Sequence, residues 1–320
     1  MFNTELILYL QGFDHPIFFW LMWFFSLLGT TPVIITLCLA IAFGLELKRG
    51  LVLINIVAWT AFTITLLKVG VDYPRPIDVD PNVKTEVFAF NENDLSEKMP
   101  ANFFESFSAE ILETTRTDQI VQYGFPSGHV AIQTALWLSF LLLFKKRWIL
   151  KWGIGIIILT AISRIYLGQH FLGDVLGGLV IGFALPLLLL FLVKKSRYLD
   201  LQTHDTTSLL FFWMPWLVMP FAAYITYWQM ASVLGLNMAV IFIVQRRNFP
   251  VFHVITWKRV LAALLVVLFF LAAHYFNKLV DITNSSVLDF MLITVLNFIV
   301  VLGILSLNRR LFLIKYRLAF

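Results

Sequence analysis

The sequence predicts an all-α protein, a polytopic transmembrane helix bundle of about nine spans carrying an extracytoplasmic acidic loop. Three observations predict this class. Of the 320 residues, 60% are hydrophobic and only 13% are charged, about half the share of charge found in water-soluble domains. The apolar residues come in long blocks such as Thr30 to Leu45, Leu51 to Leu67 and Phe171 to Val193, not in the alternating segments of about ten residues that mark an outer-membrane barrel. The basic residues gather in alternate connections between these blocks. Soluble enzymes, nucleic-acid readers and secreted disulfide scaffolds fit poorly, the last because Cys38 is the single cysteine.

Residues 3–12 are short and mixed and read as an interfacial helix, ended by Gly12, Asp14 and Pro16. The first basic residue is Lys48, so the opening stretch lacks the basic start of a cleaved signal. Residues 17–46 are interrupted by Gly29 and Pro32. A crossing needs about 20 residues, so this stretch reads as a surface-lying piece followed by one span. Further spans are expected near 51–70, 127–144, 150–167 and 172–193, then near 208–227, 230–245, 260–276 and 286–305.

Short cytoplasmic loops collect Lys and Arg. Alternate connections here, with the C-terminal segment, hold 17 of the 24 basic residues. The expected C-terminus is therefore cytoplasmic, and the segment 77–122 lies outside, in a bacterial cell on the periplasmic face of the inner membrane. That segment holds ten of the 19 acidic residues. It reads as a solvated loop, or else as a helix with Phe103, Phe104, Phe107 and Ile111 on one face, lying on the membrane or covering a site. The expected organisation is a membrane core over 1–200, with 77–122 inserted, followed by additional helices over 201–320 of unassigned role.

Three segments place polar residues at span ends on the outer side: KVGVDYPRP at 68–76, FPSGH at 125–129 and SRIYLGQHFLGD at 163–174. Taken singly they have ordinary explanations. Lys68 snorkels from a helix end, Arg75 and Arg164 meet lipid headgroups, Pro126 and Ser127 start a helix, and His170 and Asp174 are a local i, i+4 pair. These readings leave the combination unexplained, because ionisable residues at membrane depth mark function. Lys68, Arg75 and Arg164 with the first-turn amides of Ser127 and Gly128 form a cradle for a dianion such as phosphate. His170, with Asp174 accepting its ring N–H, has the makings of a nucleophile toward phosphorus. His129 can protonate the leaving oxygen and later deprotonate water. The three cations offer the charge stabilisation that a metal gives elsewhere, so no metal and no cofactor is expected. His274, Asp281 and Asp289 in the added spans are scattered, and His15, His204 and His253 lack motif partners.

These three motifs resemble the pattern K-x6-RP, PSGH and SR-x5-H-x3-D of the type 2 phosphatidate phosphatase superfamily, which includes lipid phosphate phosphatases, glucose-6-phosphatase and vanadium haloperoxidases. The likeness covers residues from about 51 to 193. It implies a phosphohistidine on His170, general acid and base work by His129, orientation of His170 by Asp174, and phosphate binding by Lys68, Arg75, Ser127, Gly128 and Arg164. The expected function is a metal-independent phosphatase of membrane lipid phosphates or pyrophosphates, undecaprenyl pyrophosphate among them, with the bilayer and the lipid as its partners and no nucleic acid. A lipid-linked phosphotransferase, hydrolysis of a soluble ester and a non-enzymatic anion transporter remain as alternatives. The headgroup and the oligomeric state are not legible.

Overall fold

The computed structural model describes residues 1–85, 95–100, 102–117, 123–195, 210–221, 228–245, 248–252, 256–279, 285–311 and 314–318. The fold is helical, as expected. Its helices in chain order are α1 (Glu5–Gln11), α2 (Pro16–Leu28), α3 (Thr31–Gly44), α4 (Leu47–Val71), α5 (Pro76–Val79), α6 (Ala109–Thr117), α7 (Gly128–Phe144), α8 (Arg147–Tyr166) and α9 (Leu172–Lys195). They continue with α10 (Leu210–Trp213), α11 (Trp228–Gln245), α12 (Thr256–Leu279) and α13 (Ser286–Arg310). One feature lies outside the helical expectation. β1 (Asn248–Phe252) and β2 (Ile314–Leu318) pair as a two-stranded antiparallel ribbon, with Asn248 opposite Leu318 and Phe252 opposite Ile314.

By length and composition, four helical segments among the described residues can cross a membrane, or five if α2 and α3 form one broken span. This is fewer than the nine expected. Two of the expected blocks form short helices. Helix α7 has 17 residues, under the about 20 of a straight crossing, and α11 offers only the apolar stretch Trp228–Ile243. The block expected near 208–227 yields α10 and a 3-10 turn over Met214–Phe221. Pro215 and Pro220 fall there, and each removes an N–H that an α-helix needs. In 17–46, Gly29 and Thr30 interrupt the helix, leaving α2 and α3 with 13 and 14 residues. His15 accepts the N–H of Ile17 and Pro16 takes the first helical position, so α2 starts where its first-turn donors have least need of partners.

The chain divides into two compact units. The first comprises Met1–Thr30 and Thr60–Pro186, and the second Thr31–Trp59 and Leu187–Phe320. Within the second unit α3 packs on α12.

The first unit is built on α7, α8, α2 and the first part of α9. Helices α7 and α9 approach closely through Gly178 and Gly182. A Cβ on Gly178 would lie 2.6 Å from the Ser127 carbonyl oxygen, and one on Gly182 would lie 2.6 Å from that of Ala131. Small residues four apart allow such contact between membrane helices, where lipid offers no hydrophobic drive to pair. At the end that carries the motifs, Val79, Phe107, Ile111, Val130, Phe171 and Phe2 form one apolar cluster. This corrects the amphipathic face expected over 103–111. Helix α6 begins only at Ala109. Phe107 and Ile111 are core residues, whereas Phe103 and Phe104 stand exposed in a turn, Phe104 at 86%. Burial against the rings of Phe2, Tyr73 and Phe171 outweighs the helical spacing of the four.

In the second unit the helices are joined by polar side chains buried in apolar surroundings. Asn55 and Asn237 exchange amide hydrogen bonds of 2.9 and 2.7 Å. Asn297 donates to Ser232 Oγ, and Thr294 donates to the Ala231 carbonyl. Each pairing removes a buried polar group that would otherwise go unsatisfied.

Candidate active site

All three motifs fall in the first unit, at its helix ends. Lys68 lies in the last turn of α4, and Arg75 directly precedes α5. Ser127 is the N-cap of α7, with Gly128 and His129 in its first turn. Ser163 and Arg164 end α8, His170 sits in the connection, and Asp174 is in the first turn of α9.

Each side chain is positioned by a local cause. The connection from α8 to α9 turns at Gly168, whose φ is +64°. A Cβ there would also lie 2.5 Å from the Lys84 carbonyl oxygen, so the position is open only to glycine. After this turn the N–H groups of Gln169 and His170 both donate to the Arg164 carbonyl, at 3.1 and 3.3 Å. The His170 ring then faces Asp174, with Nδ1 3.4 Å from Oδ2, and both residues are buried. The same Oδ2 accepts the Phe171 N–H at 2.9 Å. The Asp174 carbonyl accepts the Ser127 N–H at 2.9 Å. The FPSGH segment and the His170–Asp174 pair are therefore locked together through backbone.

Each of the three cations donates to a neutral acceptor. Lys68 Nζ donates to the Tyr123 carbonyl at 2.8 Å. Arg75 donates to Gln169 Oε1 at 2.7 Å, and Arg164 donates to the same oxygen at 3.3 Å. Arg164 also donates to Ser26 Oγ at 2.5 Å. Because these acceptors are uncharged, the hydrogen bonds orient the cations and leave their charge in place. Among the described residues, Ser127 Oγ, Arg75 Nε and Asp174 Oδ1 are buried polar atoms with no hydrogen-bond partner. Two of the three are donors beside a helix N-terminus or a cation, as binding of an anion requires.

The electrostatics of His170 follow from this arrangement. Burial first, then the charges of Lys68, Arg164 and Arg75, then His129, hold its imidazole well below the ordinary histidine value. The ring is therefore neutral near pH 7. In the tautomer that carries its N–H on Nδ1, toward Asp174, Nε2 keeps its lone pair, which is the form a nucleophile needs.

The structure thus gathers the expected residues in one unit, and it adds others. Ser26 and Gln169 contact the arginines. Gly29 packs against the His129 ring, where a Cβ would come within 2.6 Å of Cδ2. Gln133 donates to the Leu28 carbonyl at 2.6 Å, fastening α7 to the end of α2. Phe2 places its ring 5.2 to 6.3 Å from those of Tyr73, Phe107, Phe125 and Phe171, and three of these flank motif residues. Nothing in the spacing of Phe2, Ser26 or Gly29 connects them to the motifs. Gln169 had a signal in its place directly before His170. Of the scattered residues, His15 caps α2 and Asp289 is buried in the first turn of α13. His204, His253 and Asp281 lie outside the described residues.

A buried imidazole–carboxylate pair, three cations and a helix N-terminus thus lie in one unit, all at the ends of apolar helices. Residues 49–198, the stretch that contains all three motifs, match the model of the PAP2 superfamily. The chain is 44% identical over 82 residues to phosphatidylglycerophosphatase B of Bacillus subtilis, covering 22% of this chain and 38% of that protein. It is 37% identical over 60 residues to lipid A 4'-phosphatase of Bacteroides thetaiotaomicron, covering 19% of this chain and 27% of that protein. The matches therefore span well under half the length of either relative. A solved structure of a PAP2 type phosphatidylglycerolphosphate phosphatase from Bacillus subtilis aligns with a TM-score of 0.43 at 22% identity, over 60% of this chain and 84% of that one.

Proposed function

We propose that this protein is a metal-independent phosphatase of membrane lipid phosphates or pyrophosphates, working through a phosphohistidine on His170 in a core within residues 1–200. The observation that carries the reading is the buried His170–Asp174 pair set beside Lys68, Arg75 and Arg164. His170 Nε2 attacks phosphorus as the bond to the leaving oxygen breaks, and His129 gives that oxygen its proton. Water then attacks phosphorus and the P–N bond breaks. His129 takes the proton from the water, and His170 returns to its neutral form with phosphate released. Asp174 holds the Nδ1–H throughout and stabilises the positive charge that His170 gains on attack. Lys68, Arg75 and Arg164, with the amides of Ser127 and Gly128, bear the charge on the transferring group. The two named phosphatase relatives support a lipid phosphate as substrate. So does the position of the motifs at the ends of apolar helices, where a lipid headgroup can enter while its chains stay in hydrocarbon.

The test is phosphate release by purified protein from phosphatidate, phosphatidylglycerophosphate, lipid A and undecaprenyl pyrophosphate, with glucose 6-phosphate beside them. The lipids are expected to be preferred. Preference for glucose 6-phosphate over every lipid removes the lipid reading, transfer only to added alcohols makes the protein a phosphotransferase, and binding without turnover makes it an anion carrier.

The distribution of basic residues supports an inner-membrane protein with the site on the periplasmic side and a cytoplasmic C-terminus. In a Cys38→Ser background, Phe104→Cys should react with an impermeant thiol reagent applied to spheroplasts. Lys146→Cys should react only after lysis. The opposite pattern would move the site to the cytoplasmic face.

A further inference from the structure

Gln169 is buried between the two arginines of the site, at one of the unspecified positions of the SR-x5-H-x3-D pattern. Its Oε1 accepts from Arg75 at 2.7 Å and from Arg164 at 3.3 Å, while its Nε2 donates to Thr85 Oγ1 at 2.7 Å. The amide orientation is settled by chemistry, since guanidinium groups only donate and so require the oxygen. We infer that Gln169 is a positioning residue that yokes Arg75 and Arg164 into one clamp for the substrate phosphate and registers that clamp against His170. The inference rests on the function proposed above.

Three features support it. The two arginines come from distant parts of the chain, before α5 and at the end of α8, and like charges repel. A shared acceptor is what holds two such groups at a fixed separation. The acceptor is neutral, so it aligns the donors without cancelling their charge, whereas a carboxylate in its place would neutralise one of them. Finally, Gln169 directly precedes His170, and both backbone N–H groups bind the Arg164 carbonyl. The spacing of the clamp and the placement of the nucleophile are therefore set by one short turn.

Two variants test this in the full-length protein, with inhibition by vanadate, KM and kcat on a lipid phosphate, and thermal stability as readouts. Gln169→Met keeps the length and removes the acceptor, while Gln169→Glu keeps the acceptor and adds charge. Gln169→Glu is expected to raise KM and the vanadate inhibition constant by about tenfold or more, with a fall in kcat beside it, since the arginines bind the dianion in the ground state and bear its charge in the transition state. Gln169→Met is expected to raise both by a smaller factor. Should Gln169→Met fail to fold, Gln169→Glu decides alone, because two neighbouring arginines stabilise its charge. Unchanged vanadate inhibition and KM in folded Gln169→Glu would overturn the inference, as would loss of kcat and stability with KM unmoved. If the wild-type protein itself neither releases phosphate nor binds vanadate, the failure is that of the proposed function, and the clamp falls with it.

Discussion

His170→Ala should reduce phosphate release by at least about a thousandfold, because loss of a covalent nucleophile leaves only binding and charge stabilisation to act on the substrate. The variant should still bind vanadate, since Lys68, Arg75, Arg164 and the first turn of α7 are untouched. Asp174→Asn is expected to cost about 10²- to 10⁴-fold, by analogy with the loss of the orienting carboxylate in other imidazole-centred sites. Its carboxamide no longer enforces an N–H on Nδ1. His129→Ala should slow poor leaving groups more than good ones, because a good leaving oxygen needs less protonation. The check is single-turnover kinetics with a phenyl phosphate series beside a lipid. Retention of more than a tenth of the activity in His170→Ala would remove the phosphohistidine. The same residue has a pH signature. Its folded-state value is depressed, so below about pH 6.5, the ordinary histidine value, the unfolded chain takes a proton that the folded protein refuses. Stability is therefore unaffected by this group above that pH, and it falls as pH drops toward the lower folded value. Thermal unfolding between pH 7.5 and 5 should show a smaller acid loss in His170→Gln than in wild type.

The reach of the sequence is best seen by comparing residues. Lys68, Arg75, Ser127, Arg164, His170 and Asp174 were legible because polar groups at the ends of apolar blocks stand out against composition, and because i, i+4 spacing puts His170 over Asp174. Gln169 carried a weaker signal. Ser26 carried none, since a serine within an aromatic helix resembles many others, and only the tertiary fold brings it to the Arg164 guanidinium. The face expected over 103–111 failed for a related reason. Helical spacing alone cannot weigh the alternative of burying Phe107 and Ile111 in a cluster to which Phe2 and Phe171 contribute from distant positions. The span pattern was legible where blocks exceeded about 20 residues, as in α4, α9 and α13. It blurred where Gly29, Pro215 and Pro220 break the helix within an apolar run.

The second large effect concerns the contact between α7 and α9, on which the geometry of the site depends. Helix α9 presents Gly178 to the Ser127 carbonyl and to the Ala131 N–H, and Gly182 to the Ala131 carbonyl and Thr134. A methyl group at Gly178 would sit 2.6 Å from a backbone oxygen, so relief requires one helix to move away from the other. That movement stretches the 2.9 Å bond from the Ser127 N–H to the Asp174 carbonyl, and it separates the first turn of α7 from the His170–Asp174 pair. Gly178→Ala is therefore expected to cost about 1–3 kcal/mol of stability, the usual range for overpacking, together with a large fall in kcat. Gly182→Ala, one turn farther along α9, should cost comparable stability with a smaller loss of kcat, because the displaced backbone is farther from Asp174. Gly70→Ala supplies the contrast. Its Cβ would meet nothing within 4 Å, and alanine is the better helix former by about 0.5–1 kcal/mol, so stability should hold or rise. Denaturant unfolding in micelles alongside phosphate release on the three variants checks this. If Gly178→Ala behaves as Gly70→Ala does, the two helices have room to spare, and the close contact is not what holds Ser127 against Asp174.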